Sequence, residues 1–319
     1  MKPSNLIRTC SIWRALEVVG DTPTLLILEA SWLGARRFDE LRSRTGLLKA
    51  LLSDRLKRLI VAGLFEKQLY CKTPPRFAYV MTDKGRGVYW TALMMLRWDM
   101  KWGGDGSKIA VELTHRRCGK SFIPEPACGT CNATIDATQV DWKEGPGVGW
   151  MAPLYSRRRQ QRTSSEGATS LLDQAAQLMG DRWASLIMRS IFTGITRFDD
   201  ICVDTAIATN ILAERLQWLQ SVGVIRQRTY ASAPPRQEYR LTRKGVEYYP
   251  VLLMLLRWGD KYYVSPEGPP LVLLHKACRG PLDPQVVCSE CRVPVDPEDV
   301  HYRISERAAV ASHGAEATL

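Results

Sequence analysis

Shifted by 160 positions, the chain matches itself. "VGDTPTLLIL" lies over "MGDRWASLIM", "GARRFDEL" over "GITRFDDI", and "LMMLRW" over "LMLLRW". The long run "LLSDRLKRLIVAGLFEKQLYCKTPPRFAYVMTDKG" lies over "ILAERLQWLQSVGVIRQRTYASAPPRQEYRLTRKG". No gap is needed between Gly20/Gly180 and Cys131/Cys291. The period is too long for a solenoid, whose units run to roughly 20–50 residues. It specifies a whole domain written twice, so any fold assigned to one copy must serve both. A chain of 319 residues suits two such domains.

Within one copy the apolar positions set the elements. Leu16, Val19, Leu25, Leu26 and Leu28, arranged around Gly20-Asp21, predict two short helices between residues 12 and 31. Residues 36–45 predict a short helix with Phe38 and Leu41 inward, then a turn at Thr45-Gly46. Residues 49–62 place Leu52, Leu56 and Leu59 on one stripe of a helix that Gly63 ends. Two strand-like runs, 64–70 and 77–82, flank "CKTPPR", whose prolines cannot sit inside a ladder and so mark a hairpin tip. A last helix is predicted over about 84–101, with Leu93, Leu96 and Trp98 available for burial. Helix, short helix, turn, second helix, hairpin is the order of a winged helix-turn-helix. Its second helix fits the major groove, and the wing reaches flanking backbone or minor groove. The fold class expected is therefore mainly α with small β-hairpin wings, in tandem.

Each copy resembles the HxlR-type family of bacterial winged helix-turn-helix transcriptional regulators. The resemblance rests on the Gly-Asp before a helix and on R-F-D-E/D-L/I at Arg37 to Leu41 and Arg197 to Ile201. It continues through L-x3-L-x2-L at Leu52, Leu56, Leu59 and at Leu212, Leu216, Leu219. The most distinctive string is Y-x3-P-P-R-x2-Y-x2-T-x2-G, from Tyr70 to Gly85 and from Tyr230 to Gly245. It covers about residues 10–102 and 170–262. The resemblance implies dimeric repressors or activators on pseudo-palindromic DNA, with one such domain per chain in most members. This chain departs by carrying two, so it could form a homodimer or supply the dimer internally.

Net charge is +11 and the isoelectric point about 9.3, which favours a polyanionic partner, double-stranded DNA on this reading. On the second helix of copy 1 the expected DNA contacts are Lys49, Ser53, Lys57 and Arg58, with Arg76 on the wing. In copy 2 they are Thr209, Asn210 and Gln217, with Arg236 on the wing. Asn and Gln suit adenine edges, Lys suits guanine or phosphate, and any one of these side chains could instead be ordinary solvated surface. Asp54 and Glu214 count against a simple groove-facing surface. Arg55 and Arg215 are expected to pair with Asp39 and Asp199. Residues 36–58 hold eight basic against three acidic side chains, whereas 196–218 hold two against four, a balance of +5 against −2. Copy 1 should therefore bind DNA more strongly through its helix pair. Copy 2 has a basic hairpin instead, with Arg226, Arg228, Arg236, Arg240, Arg243 and Lys244.

Six of the nine cysteines recur under the offset, together with two histidines. His115, Cys118, Cys128 and Cys131 in one copy match His275, Cys278, Cys288 and Cys291 in the other, at the spacing H-x2-C-x9-C-x2-C. The intervening "GKSFIPEPA" and "RGPLDPQVV" differ almost throughout, so the constraint falls on the ligands. Two chelating knuckles per copy would hold a tetrahedral zinc, two per chain, structural because four protein ligands leave no open position. A redox dithiol such as Cys128/Cys131, inert thiols, and an iron-sulfur cluster (less suited to histidine) stay open. Cys10 faces Ser170 and so does not recur. By the resemblance it is a possible redox cysteine, and otherwise a small buried residue.

The expected layout is a winged helix over 1–104, a zinc knuckle over 105–144, and a flexible basic linker over 145–169 with Arg157, Arg158, Arg159 and Arg162. A second winged helix over 170–264, a second knuckle over 265–304 and a disordered tail over 305–319 complete it. No apolar run is long enough to cross a bilayer, no signal peptide is visible and no P-loop, dinucleotide or nucleophile-elbow pattern occurs. The reading is a soluble, cytoplasmic regulator, not an enzyme, that acts as a repressor on a pseudo-palindromic operator, its small-molecule effector unassigned. The competing reading is a protein-interaction or redox/metal sensor module whose second winged helix has lost DNA contact.

Overall fold

The computed structural model describes residues 6–103, 109–152, 174–232 and 235–306. Copy 1 opens with β1 (Ile7–Arg8), α1 (Ser11–Val19) and α2 (Thr22–Trp32). The helix pair is α3 (Phe38–Thr45) and α4 (Lys49–Val61), and the wing is β2 (Phe65–Cys71) and β3 (Arg76–Met81). Then come α5 (Asp83–Arg86), α6 (Tyr89–Trp102), β4 (Ile109–His115), β5 (Lys120–Ser121), β6 (Pro124–Cys128), β7 (Val140–Glu144) and β8 (Trp150–Met151). Copy 2 repeats the plan with α7 (Gln174–Gly180), α8 (Arg182–Phe192), α9 (Phe198–Thr205) and α10 (Thr209–Ser221). Its wing is β9 (Ile225–Ser232) and β10 (Pro235–Leu241), followed by α11 (Arg243–Val246), α12 (Tyr249–Tyr263), β11 (Leu271–His275), β12 (Gly280–Pro281), β13 (Pro284–Cys288) and β14 (Val300–Glu306).

The repeated residues explain the repeated elements. Asp21 and Asp181 cap α2 and α8, each carboxylate accepting an N–H three residues on at 3.0 Å. Gly46 closes α3 in the left-handed region at φ 65°, where a Cβ is costly. Leu52, Leu56 and Leu59, with Leu212, Leu216 and Leu219, are buried as the stripe predicted. Each buried leucine contributes about 1.5–3 kcal/mol relative to exposure. The segment leading into the R-F motif bridges to the wing at Arg37 and Arg197, where Tyr79 N–H donates to Arg36 O at 2.7 Å and Tyr239 N–H to Thr196 O at 2.8 Å.

One expectation changes here. The last helix, read as continuous over about 84–101, is split into α5 and α6, and likewise α11 and α12. The Thr-x2-Gly motif is the cause. Thr82 Oγ1 donates to Gly63 O at 2.6 Å and accepts from Gly85 N–H at 3.2 Å. Thr242 repeats both bonds, to Gly223 at 2.6 Å and from Gly245 at 3.1 Å. At Gly85 a Cβ would come within 2.3 Å of Leu64 O, so only glycine lets the chain lie this close.

The copies pack crosswise. Helix α1 of copy 1 lies on α12 of copy 2, and α7 lies on α6. A Cβ on Gly259 would sit 2.3 Å from Ser11 O, which shows how closely α1 and α12 approach. Trp98 Nε1 donates to Lys244 O at 3.0 Å, and Trp258 Nε1 to Lys84 O at 2.9 Å. These are one bond made twice under the 160-residue offset, the mark of a pseudo-two-fold axis. The strands obey it too. β6 pairs antiparallel with β13, with Pro126 opposite its own counterpart Val286. β4 pairs with β14 and β11 with β7, so that His115 faces Val300 and His275 faces Val140. One apolar core, including Trp13, Leu16, Met94, Trp98, Tyr248, Leu255 and Trp258, runs through both copies.

Two boundaries also shift. Residues 145–152, read as the start of a flexible linker, are held by backbone bonds. Gly145 N–H donates to Pro270 O at 3.0 Å, Gly147 N–H to Pro269 O at 3.2 Å, and β8 pairs with β1. The chain at 305–306, read as tail, completes β14 against β4. The linker arginines Arg157, Arg158, Arg159 and Arg162 and the tail from 307 lie outside the described residues.

Candidate nucleic-acid interface and metal centres

On α4, Lys49, Lys57 and Arg58 are exposed and Ser53 is half-buried, opposite the buried leucine stripe. On α10, Thr209, Asn210 and Gln217 are exposed. Arg76 is exposed at the tip side of its wing, while Arg236 is described only by its backbone in β10. Both helix pairs therefore turn polar side chains outward.

The arginines beside the stripe depart from the sequence expectation. Instead of meeting Asp39, Arg55 pairs with Asp21 at 3.0 Å and Asp54 at 2.6 Å. Instead of meeting Asp199, Arg215 pairs with Asp181 and, at 2.7 Å, with Glu214. The physical reason is that the carboxylate capping α2 or α8 projects toward the second helix of the pair. Asp39 and Asp199, second in α3 and α9, are exposed, while Phe38 and Phe198 before them pack against the core. One aspartate thus caps a helix and anchors the next helix but one. Asp54 is also held by Arg58 at 3.1 Å, so its charge is compensated on the face where it would otherwise repel phosphate.

The basic hairpin of copy 2 is smaller than its sequence implied. Arg226 and Arg228 are exposed on β9. Arg240 is tied to Glu238 at 3.0 Å, and that bond lowers the glutamate's pKa and raises the arginine's. Arg243 and Lys244 belong to α11, and Lys244 lies 5.1 Å over the Trp98 ring at the contact between copies. Asp204, counted against the copy 2 helix pair, is buried and paired with Arg189.

The cysteine and histidine side chains gather in two sets, and the sets cross the copies. His115 and Cys118 meet Cys288 and Cys291, and His275 and Cys278 meet Cys128 and Cys131, all ligand atoms of a set lying within 4.8 Å of one another. A knuckle closed within one copy, as read from the sequence, is therefore corrected. The cause is strand direction, since antiparallel pairing puts Cys288 opposite Pro124, beside the partner turn, and Cys128 opposite Pro284. The turns themselves are local. Gly119 N–H donates to His115 O and Arg279 N–H to His275 O, both at 2.8 Å. Asn132 N–H donates to Cys128 O at 2.7 Å and Arg292 N–H to Cys288 O at 2.9 Å. Gly119, Arg279, Asn132 and Arg292 all take positive φ to close them.

The geometry fits a tetrahedral ion. Zn–S bonds of about 2.3 Å and Zn–N of about 2.0–2.1 Å require S···S edges of roughly 3.8 Å and N···S edges of roughly 3.6 Å. Cys118 Sγ lies 3.9 Å from Cys288 Sγ. His115 Nδ1 lies 3.5 Å from Cys118 Sγ and 3.2 Å from Cys291 Sγ. His275 Nδ1 lies 3.5 Å from Cys278 Sγ and 3.4 Å from Cys131 Sγ. Both histidines are buried. Protons are shared unevenly in each set. Burial opposes ionisation of Cys128, yet backbone N–H groups of Cys131, Thr130 and Asp283 bring it down to about 6, while burial and the Cys128 charge raise Cys278. In the other set burial pushes Cys288 up to about 11, and hydrogen bonds outweigh burial to lower Cys291.

Cys10 is buried at the start of α1 and joins the apolar core. That setting suits a small packing residue, because a reactive thiol needs access. Among the described residues no helix is long and apolar enough to cross a membrane.

The HxlR-like helix-turn-helix family matches residues 18–107 and again residues 178–267, together more than half of the chain. An uncharacterized HTH-type transcriptional regulator of Mycobacterium bovis is 39% identical over 118 residues, which cover 37% of this chain and 75% of that protein. Another, from Methanothermobacter thermautotrophicus, is 35% identical over 92 residues, covering 28% of this chain and 70% of that protein. Among solved structures, diamide-treated YodB from B. subtilis is 29% identical and covers 30% of this chain and 94% of that one, with a TM-score of 0.26. The family and these relatives are transcriptional regulators, not enzymes. With a helix pair and wing found twice and both copies matched, the chain belongs to the HxlR-like helix-turn-helix family of DNA-binding transcriptional regulators.

Proposed function

We propose that the chain is a repressor that supplies its own dimer, its two winged helices reading the two halves of a pseudo-palindromic operator. The observation that carries this reading is the doubled Trp98/Trp258 bond between copies, which expresses a pseudo-two-fold relation inside one polypeptide. Two-fold proteins match two-fold operators, half-site for half-site. Lys49, Lys57 and Arg58 neutralise phosphate on one half-site, while Thr209, Asn210 and Gln217 read the other mainly by hydrogen bonds. Arg76 and Arg236 carry the wings to the flanking backbone. Each Cys/His set holds one structural zinc, two per chain, which the tetrahedral edges and the donor set of three sulfurs and one nitrogen support. Zinc there supplies cross-linking and no chemistry on a substrate, because no coordination position stays open.

Selection of bound genomic fragments followed by gel shift at graded salt tests the reading. Wild type should shift a fragment with two half-sites, and its log affinity should fall linearly with log salt. Lys49→Ala with Lys57→Ala should lower the magnitude of that slope by about 1.8, at about 0.9 per phosphate contact. Asn210→Ala with Gln217→Ala should leave the slope nearly unchanged and relax base preference in one half-site. Absence of any shift at low salt rejects the reading in favour of a sensor or interaction module.

A further inference from the structure

Resting on the zinc reading above, we infer that each metal ion is a clasp between the two copies, and that binding to a full two-half-site operator depends on the clasps. The strand geometry requires the crossing. β6 and β13 have five residues each, and a strand rises about 3.3 Å per residue. A copy's own C-x2-C knuckle therefore lies about 13 Å along the strand from its start, away from that copy's H-x2-C turn. The antiparallel partner runs the other way and delivers Cys288 beside Pro124 and Cys128 beside Pro284. Neither copy alone completes a set, and an ion that binds all four donors bonds one copy to the other.

The clasps are joined to the helices that carry the winged domains. Trp90 on α6 of copy 1 donates through Nε1 to Val295 O of copy 2 at 2.7 Å. Arg257 on α12 lies 4.6 Å over the Trp90 ring and 3.8 Å from Asp283, just before β13. Helices α6 and α12 in turn hold α5 and α11 through the reciprocal tryptophan bonds. Metal loading thereby sets where one winged helix stands relative to the other. A chain stripped of metal keeps the shared apolar core and the reciprocal tryptophan bonds but loses the restraint at the ends of β6 and β13, so the two winged helices hold their register less tightly.

Paired substitutions separate the arrangements by metal count in the full chain. Cys118→Ser with Cys291→Ser damages one crosswise site and should leave about one zinc per chain. Cys118→Ser with Cys131→Ser damages both and should leave none. Knuckles closed within a copy give the reverse, none for the first pair and one for the second, and that result overturns the clasp while leaving zinc itself intact. Anomalous scattering at the zinc edge from wild-type crystals locates each ion without any substitution, so a variant that fails to fold does not protect the idea. Wild type that carries no zinc and takes up none from zinc chloride fails the underlying reading instead. For DNA, EDTA treatment of wild type should weaken binding to the full operator at least tenfold, toward the affinity for a single half-site, and zinc chloride should restore it. Unchanged affinity for the full operator after verified zinc removal overturns the dependence on the clasps.

Discussion

The helix pair of copy 1 and that of copy 2 share a backbone plan and differ in charge. Arg42, Arg44, Lys49, Lys57 and Arg58 are exposed in copy 1. Their counterparts are Cys202, Asp204, Thr209, Gln217 and Trp218. The difference is larger than a loss of surface charge. Asp204 turns inward to Arg189, and Ser190 Oγ donates to it at 2.6 Å. In copy 1 the same two places hold an exposed Arg44 and a buried Glu29. An interior ion pair in one copy thus corresponds to an outward cation in the other. Duplication preserved the scaffold, set by apolar positions and caps, and left the polar positions free to diverge. The exposed face of one helix pair is strongly basic, and that of the other is polar with no basic excess.

The sharpest way to break this comparison is through what the copies share. Arg215 and Asp181 are each 13% exposed, whereas Arg55 and Asp21 are 19% and 24% exposed. Removing one partner of a buried pair strands the other charge. Arg215→Ala should cost about 3 kcal/mol in urea unfolding, and Arg55→Ala about 2 kcal/mol, screening being greater at the more open site. The opposite order, or no loss at either site, would show that the helix pairs do not depend on these anchors.

A smaller effect belongs to copy 2 alone. Asp260 lies on α12 where copy 1 has Met100, and burial against α1 raises its pKa to about 6, although a bond from Ser11 and the charge of Arg14 oppose the rise. The folded state binds this proton more tightly than the unfolded chain, so its stabilising effect is complete below about pH 4. It is lost as pH rises through about 6. Asp260→Asn cannot ionise and should raise stability at pH 8 by about 2 kcal/mol, the roughly 3 kcal/mol given by 1.36 kcal/mol per pKa unit being reduced by residual solvent screening, with almost no change at pH 4. Melting curves at both values check the sign, and an equal gain at the two pH values would exclude titration as the cause.

The smallest expected effect is at the turn between the paired helices. Gly46 ends α3 at φ 65°, and Ala206 ends α9 at φ 53°. Alanine in this region carries a steric cost of about 1 kcal/mol that glycine escapes. Ala206→Gly should therefore stabilise the chain by about 1 kcal/mol or slightly less, and Gly46→Ala should destabilise it by a similar amount. Destabilisation by Ala206→Gly in equilibrium unfolding would mean that unfolded-chain entropy outweighs the strain.

Much of the molecule was legible from its residues. The leucine stripes, the hairpin prolines and the glycine ends located helices and wings because these effects act within a few residues. Other features depended on distant partners. Arg55 and Asp21 are 34 positions apart, and helical periodicity carries no information about which carboxylate a neighbouring helix presents. Local composition does not mark the linker boundary, because Gly145 and Gly147 find backbone partners at Pro270 and Pro269, far along the chain. A local signal for the helix break was present in Thr82-x2-Gly85, a capping pattern that repeats at Thr242-x2-Gly245.

By itself the amino-acid order determined that one domain occurs twice and which side chains have the chemistry to bind a metal, since donor identity and knuckle spacing are covalent facts. Only the tertiary structure decided which four donors meet. That choice follows from the antiparallel run of β6 against β13 about the pseudo-two-fold axis, which carries each knuckle away from its own copy and into the other.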